Sequence, residues 1–531
     1  MRLFPMNSCQ ARARLVQAGS LLAAVALIAG CGDRYRPVVT PIGTNGPAPQ
    51  PTSYAVTVSA PSTTTPGIAT IIDYSGDSVL AIAPIGPGPT SFTVDALGDD
   101  GYTVNSDGTL SNFPVSPALQ AKQVTYTTLA STAEPVNLFS PSVGLWAADL
   151  NGNVADVFAG LTEAFKLAIP VAPTPVTIVG LGSIGQRNYA ISQNIPATST
   201  GVECNISPWT SLNGVATAME TSSYTVSANI VLDPFNPTNS PTGTKNALCP
   251  VYAVQSPDNR RFFVLNRGSD TVTVINSQLN TLDGQCPPPT GCVNQSGQTY
   301  FSHPVLPLST TAVTATGITP PNGTSGMTTI AGPVYAEYSA ATAQLVVADY
   351  DGGTISVIDV SMDEYGNDSP TFGTTFTVKV GQNPAIAPYP ASVTVLADGS
   401  RAYTANQADG TVAIVNLSSH SVEKWLNVIG HPRTVVSTQN SSFGKVYVAS
   451  PNSPYLTILR TDLDIVDTTI LVEGNIVDVR VTTQTGTSGN RNAVSRVPGY
   501  GEPCNVPPTP SNPTPAPTGT QTLLQACQAL P

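Results

Sequence analysis

Few residues in this 531-residue chain are equipped for chemistry, and they do not cluster. There are three histidines, His303, His420 and His431, and no two have the spacing of a metal pair. A Cys-x-x-Cys-His haem attachment site and a Gly-x-Ser-x-Gly nucleophile elbow are both absent from the sequence. Gly180-Leu-Gly-Ser-Ile-Gly185 matches a dinucleotide fingerprint, and Val176-Thr-Ile-Val179 before it is strand-like. The fingerprint needs a helix after it to aim amides at a pyrophosphate. The next residues, Gln186-Arg-Asn-Tyr-Ala-Ile191, are another strand-like run, so the glycines read as a turn. Asp149-Leu-Asn-Gly152, Asp349-Tyr-Asp-Gly352 and Asp409-Gly410 bring carboxylates to loops, but none is a twelve-residue calcium loop, and hairpin turn chemistry accounts for them. Asp359 and Asn416 end strand-like runs and read as turn anchors. Neither a catalytic set, a metal site nor a cofactor site is expected. His431, in a turn at one end of a repeat, is the remaining candidate for a binding face.

The elements that would position these residues are short strands. Only 10% of residues are charged, whereas Gly and Pro number 44 and 49, a composition that suits strands and turns rather than long amphipathic helices. The net charge of −12 speaks against a nucleic-acid partner, which needs a basic footprint.

The first 30 residues read as a secretion signal, with Arg2, Arg12 and Arg14 before the apolar run Leu15–Gly30. The run ends Leu27-Ile-Ala-Gly-Cys31, which resembles the bacterial lipobox. The resemblance implies acylation of Cys31 and cleavage before it. With Gly32 rather than aspartate next, it implies sorting to the outer membrane, periplasmic or surface-facing. Two or three acyl chains anchor stably where one does not. Residues 31–52 read as a lipidated, flexible Pro/Thr/Gly tether. Export makes disulfides the expected state of the other six cysteines, for which local pairing gives Cys204–Cys249, Cys286–Cys292 and Cys504–Cys527. Cys9 falls within the leader.

Between 53 and 484 the chain repeats. Tyr403 and Tyr447 occupy equivalent places 44 residues apart, each in a unit of four β-branched runs separated by turns. A period in the forties with four strands is a propeller blade. Equivalent second strands centre on Tyr102, Trp146, Tyr189, Phe263, Val346, Tyr403 and Tyr447. The wide spacings fall around 192–250 and 277–340, which read as long inserted loops stapled by disulfides. Ser53–Ser59, Ala69–Asp73 and Ser78–Ala83 lack a first strand, and Asn475–Val481 lacks a following blade. Joined, they make one split blade that closes an all-β ring of eight, with seven as the alternative if the N-terminal strands sit elsewhere. Residues 485–531 read as a Pro/Thr-rich tail with a short C-terminal helix carrying Cys527.

Third strands of the form Thr271-Val-Thr-Val-Ile-Asn276, Thr354-Ile-Ser-Val-Ile-Asp359 and Thr411-Val-Ala-Ile-Val-Asn416 come after second strands such as Tyr403-Thr-Ala-Asn406. With Gly381-Gln-Asn-Pro384 and Gly430-His-Pro432, they resemble the YVTN β-propeller repeat family over about 258–481. Earlier repeats share spacing more than letters. The expected function is a lipid-anchored envelope module that binds an unknown protein or glycan through a face or the central channel. The alternatives are a lactonase-like hydrolase, by analogy with related propellers, and a structural envelope component.

Overall fold

The computed structural model describes residues 53–482, apart from 96, 116–123, 141–143, 160–163, 181–185, 196–211, 288, 309–330 and 384–387. They form eight antiparallel blades of four strands. Blade 1 runs from the centre outward as Asn475–Val481, Tyr54–Ala60, Pro66–Asp73 and Val79–Pro87. Blade 2 comprises Pro89–Val94, Asp100–Asn105, Thr109–Pro114 and Thr125–Thr128. Blade 3 comprises Pro135–Phe139, Leu145–Asp149, Val154–Phe158 and Phe165–Pro170. Blade 4 comprises Pro175–Gly180, Arg187–Ser192, Val215–Glu220 and Thr225–Val231. Blade 5 begins Pro250–Gln255, Arg261–Asn266 and Thr271–Asn276. Blade 6 comprises Pro333–Ser339, Gln344–Asp349, Thr354–Asp359 and Thr375–Lys379. Blades 7 and 8 are Pro390–Val395, Arg401–Asn406, Thr411–Asn416 and Ser421–Asn427, then Thr434–Ser437, Lys445–Ala449, Tyr455–Arg460 and Ile465–Leu471. First strands of consecutive blades touch one another all round the ring. All seven expected second strands hold that place, and the ring closes through the split blade, Ala55 facing Val481. Tyr54 and Thr482 lock the junction, Tyr54 N donating to Thr482 Oγ1 at 2.9 Å.

Second and third strands are buried along most of their length because each blade packs face to face on two neighbours, so they read as unbroken β-branched runs. Fourth strands, on the rim, keep mostly exposed positions. The repeated polar letters have a specific use. The last residue of the second strand bonds two hydroxyls on the third: Asn266 Nδ2 reaches Thr271 and Thr273 at 3.1 and 2.8 Å, and Asp349 Oδ2 accepts from Thr354 and Ser356 at 3.1 and 2.6 Å. Asn105 does the same with Thr109 and Ser111. These groups then clamp the preceding blade: Gly86 N donates to Ser111, Ala172 N to Thr217, Thr273 to the Leu232 carbonyl and Asn406 to the Val380 carbonyl. At about 1 kcal/mol each, such bonds fix how consecutive blades are set against each other.

The two long stretches are not single loops, which corrects the sequence reading. Residues 192–250 contain the third and fourth strands of blade 4 between two insertions. Residues 277–340 contain a fourth strand of blade 5 split in two: Thr281–Leu282 and Val305–Pro307 pair with opposite ends of Thr271–Asn276. The intervening arm carries the Cys286–Cys292 disulfide and the small hairpin Cys292–Val293/Thr299–Tyr300. It docks on a loop of blade 6 through Asn294–Asp363, Ser296–Tyr365 and His303–Asp368. Short paired segments of two and three residues carry too little hydrophobic pattern to be legible as strands. Cys249 is also disulfide-bonded. Cys204, Cys504, Cys527, Cys31 and the C-terminal helix lie outside the described residues.

Candidate functional site

One face of the ring carries the second-to-third strand turns and the connections from each blade to the next innermost strand. On this mouth, a belt of side chains runs from blade 5 to blade 8. Arg267, in the turn after Asn266, grips Asp351 of blade 6 with Nε at 3.0 Å and Nη2 at 2.7 Å. Its guanidinium lies 5.3 Å from the Tyr350 ring centroid. The fork geometry satisfies a carboxylate bidentately, which a lysine would not do. The Tyr350 hydroxyl donates to Gln407 Oε1 of blade 7 at 2.9 Å. His431, on the connection into blade 8, donates from Nδ1 to the Gln407 carbonyl at 2.8 Å, which leaves Nε2 of the neutral ring as an acceptor. Its amide donates to Asn452 Oδ1.

Two carboxylates lie sealed beneath this belt. Asp270 accepts from Gly332 N at 2.7 Å and is 1% exposed, and its Oδ2 has no hydrogen-bond partner. Asp349 is fully buried, with Oδ1 likewise unpartnered. Burial pushes both pKa values up to about 7, and each is further disfavoured as an anion by neighbouring carboxylates. Asp351, Tyr389 and His431 are half-buried and reach solvent, and Asn452 beside His431 is exposed. Tyr389 packs on Tyr350 with ring centroids 5.0 Å apart. Burial raises its phenol pKa, with Asp351 adding to the effect.

Below the mouth, charged groups converge on the axis. Arg480 Nη2 meets Asp478 Oδ2 at 3.0 Å on the closing strand of blade 1. Burial raises the Tyr335 phenol of blade 6, and the charges of Arg480 and Asp478 act on it too, although blades 1 and 6 are not neighbours in the ring. Tyr252 packs on Tyr335 at 4.6 Å, and Glu337 accepts from Val395 N of blade 7. All five residues are at most 6% exposed, so the axis is packed around them.

The other histidines lie elsewhere. His420 occupies a left-handed turn position and stacks on Phe376 at 3.8 Å. His303 sits on the blade 5 arm, with Nδ1 3.0 Å from Asp368 Oδ2. Gly180 ends a strand and Arg187 opens the next, antiparallel to it, which is hairpin topology rather than a dinucleotide site; residues 181–185 lie outside the described ones. Among the described residues no three His, Cys, Asp or Glu side chains converge as metal ligands. Arg267, Tyr350, Tyr389 and Gln407 had no sequence signal of their own. The hint available was that Asp349-Tyr-Asp-Gly352 and Asp409-Gly410 are turns on the same face as His431.

No protein-family model and no curated protein matches the chain. Solved structures do. The apo form of AztD from Citrobacter koseri is 12% identical over 82% of this chain and 99% of that one, with a TM-score of 0.50. Dihydro-heme d1 dehydrogenase NirN in complex with DHE is 12% identical over 83% and 78%, at 0.49. A Bacteroides fragilis protein provisionally named a 6-phosphogluconolactonase is 14% identical over 82% and 99%, at 0.48. At such identities the likeness is one of propeller fold.

Proposed function

We propose that the chain is a lipid-anchored envelope propeller of the YVTN-repeat kind that binds a ligand on the mouth of blades 5 to 8. The observation that carries the reading is the belt Arg267–Asp351, Tyr350–Gln407–His431, which fixes a few half-exposed polar groups over a buried hydrogen-bonded layer. Pre-organised groups of this sort lower the ordering cost of binding. The long connections 193–214, 232–249 and 308–332 join strand ends at this same face, where recognition loops belong. Binding is favoured over hydrolysis by exposure. The carboxylates whose raised pKa suits acid–base work, Asp270 and Asp349, are sealed from substrate, and the accessible Asp351 is neutralised by Arg267.

Acylation of Cys31 rests on the lipobox resemblance, and outer-membrane localisation on Gly32. Radiolabelled palmitate incorporated by the full chain and lost in Cys31→Ser supports the anchor; label retained in the variant rejects it. For the mouth, thermal-shift screening of the full chain against sugars, peptides and sugar lactones gives hits whose effect Arg267→Ala abolishes. Lactone turnover abolished by Asp351→Asn would replace binding with the hydrolase reading.

A further inference from the structure

We infer that the mouth contains a subsite for a neutral saccharide, with Tyr389 as its aromatic wall; this rests on the mouth being the ligand face. Innermost strands start with proline in blades 2 to 7, at Pro89, Pro135, Pro175, Pro250, Pro333 and Pro390. In five of these six the residue before the proline has a left-handed backbone: Gly88 at φ 50°, Thr174 at 58°, Cys249 at 51°, Gly332 at 62° and Tyr389 at 49°. Glycine fits such a position without strain, and a bulky side chain there is an outlier. Where glycine is replaced, the side chain is otherwise engaged. The Thr174 hydroxyl donates to the Ile195 carbonyl, and Cys249 is disulfide-bonded. Tyr389 has neither kind of tether. It lays its ring on Tyr350 and stays half-exposed.

The surroundings define the ligand. Arg267 over Tyr350, and Tyr350 bonded to Gln407, hold the ring beneath Tyr389 rigid. The Asp351 carboxylate acts on the Tyr389 phenol and is itself about one-quarter exposed, at 24%. Gln407 N donates to the Tyr389 carbonyl, which brings Gln407 and, through its own carbonyl, His431 alongside. Gln407 Nε2 is a buried donor with no partner. The accessible set is thus an aromatic face, a carboxylate that accepts and an imidazole, with the unpartnered Gln407 amide buried behind them. Asp351 is already neutralised, so a charged ligand gains little. A pyranose has a flat C–H face for the ring and hydroxyls that both donate and accept. A peptide side chain would look for an apolar pocket, and these residues do not form one.

The test is calorimetry of the full chain with chitotetraose, maltotetraose, cellotetraose and laminaritetraose, each against wild type, Tyr389→Gly, Tyr389→Phe and Arg267→Ala. At least one tetrasaccharide binds. Tyr389→Gly weakens it about tenfold while leaving the unfolding midpoint unchanged or higher, since glycine relieves the left-handed backbone, and Tyr389→Phe stays within about threefold. Tyr389→Gly that lowers stability but not affinity overturns the inference by making the ring structural. Absence of binding by all four tetrasaccharides overturns the inference; a peptide that then binds and is lost in Arg267→Ala leaves the mouth as the ligand face. Saccharide binding indifferent to both Tyr389→Gly and Arg267→Ala sinks both readings.

Discussion

Blade 3 breaks the seam rule at one residue, and the break is titratable. By register, Asp149 pairs with Val154, so Asp156 occupies the place held by Ser111, Thr273 and Ser356 in blades 2, 5 and 6. Those hydroxyls bond the last residue of the second strand. Asp156 instead brings a second carboxyl towards Asp149, and its side chain makes no hydrogen bond among the described residues. Burial first, and Asp149 second, raise its pKa from 3.8 to about 7. The folded protein therefore holds a proton that the unfolded chain releases near pH 4. Stability from this group is complete below pH 4, declines as pH rises and is gone above pH 7. A shift of about three pH units at 1.36 kcal/mol per unit sets a ceiling of about 4 kcal/mol, and partial solvent screening brings the expectation to about 2 kcal/mol. Asp156→Asn removes the titration and lets an amide donate to Asp149. Near pH 4 it should match wild type; at pH 8.5 it should be the more stable by about 2 kcal/mol. Urea denaturation at the two pH values is the assay, because a chain this long shifts its melting temperature by only about 1 °C per kcal/mol. Asp270 and Asp349 titrate with the same sign in both proteins and cancel in the difference. A variant equal to wild type at pH 8.5, or weaker at both pH values, refutes the argument.

The closing seam should be no weaker than an internal one. Lys445 Nζ reaches Asp77 Oδ1 at 2.5 Å and the Tyr74 carbonyl at 2.7 Å, in the place where Arg401 meets Asp464 one blade earlier. Lys445→Met and Arg401→Met should each cost about 2 kcal/mol in urea unfolding, and a much larger loss for Lys445 would show closure to be the weak point. At Gly332, φ is 62° and an added Cβ would lie 2.0 Å from Asp351 Oδ2. Gly332→Ala should therefore cost about 2 kcal/mol and release Arg267 from Asp351, while full stability would show that the turn relaxes freely. Cys286→Ser with Cys292→Ser opens a short loop, for an expected cost of about 2 kcal/mol confined to the arm. Hydrogen exchange should rise at 285–304 and 361–374 and not in blades 1 to 3; global acceleration would contradict local docking.

What the sequence made legible was whatever repeats. Strand letters, the 44-residue period and the orphan segments at both ends favoured eight blades over seven and a closed ring, because each rests on local pattern, and the structure has eight. The recurring Asn or Asp, Thr and Ser were visible too, and the structure supplies their reason as seam hydrogen bonds. The mouth was legible only at His431. Its working contacts join residues 84 and 57 positions apart, Arg267 to Asp351 and Tyr350 to Gln407, and no spacing rule links residues on turns of different blades. The split fourth strand of blade 5 was hidden because an arm with its own disulfide interrupts the pattern. His303 looked like an isolated histidine because Asp368, which holds it, belongs to the next blade.

Closing a ring does not require ion pairs on its face. On the mouth of blades 2 to 4 the corresponding turns are tied by hydroxyl, amide and carbonyl groups: Ser106 donates to the Pro87 carbonyl, Asp149 accepts the Gly152 amide and Gln193 donates to the Pro250 carbonyl. Those blades pack as fully as the rest. Arg267 is 2% exposed, and taking a guanidinium and a carboxylate out of water costs several kcal/mol that the pair's attraction does little more than offset. An apolar or hydroxyl-bearing turn would serve the fold equally well. Blades 5 to 8 add a buried arginine paired with a carboxylate, two sealed carboxylates with raised pKa and a tyrosine in a left-handed backbone on one face, which is the concentration of costly groups on which the proposed ligand face rests.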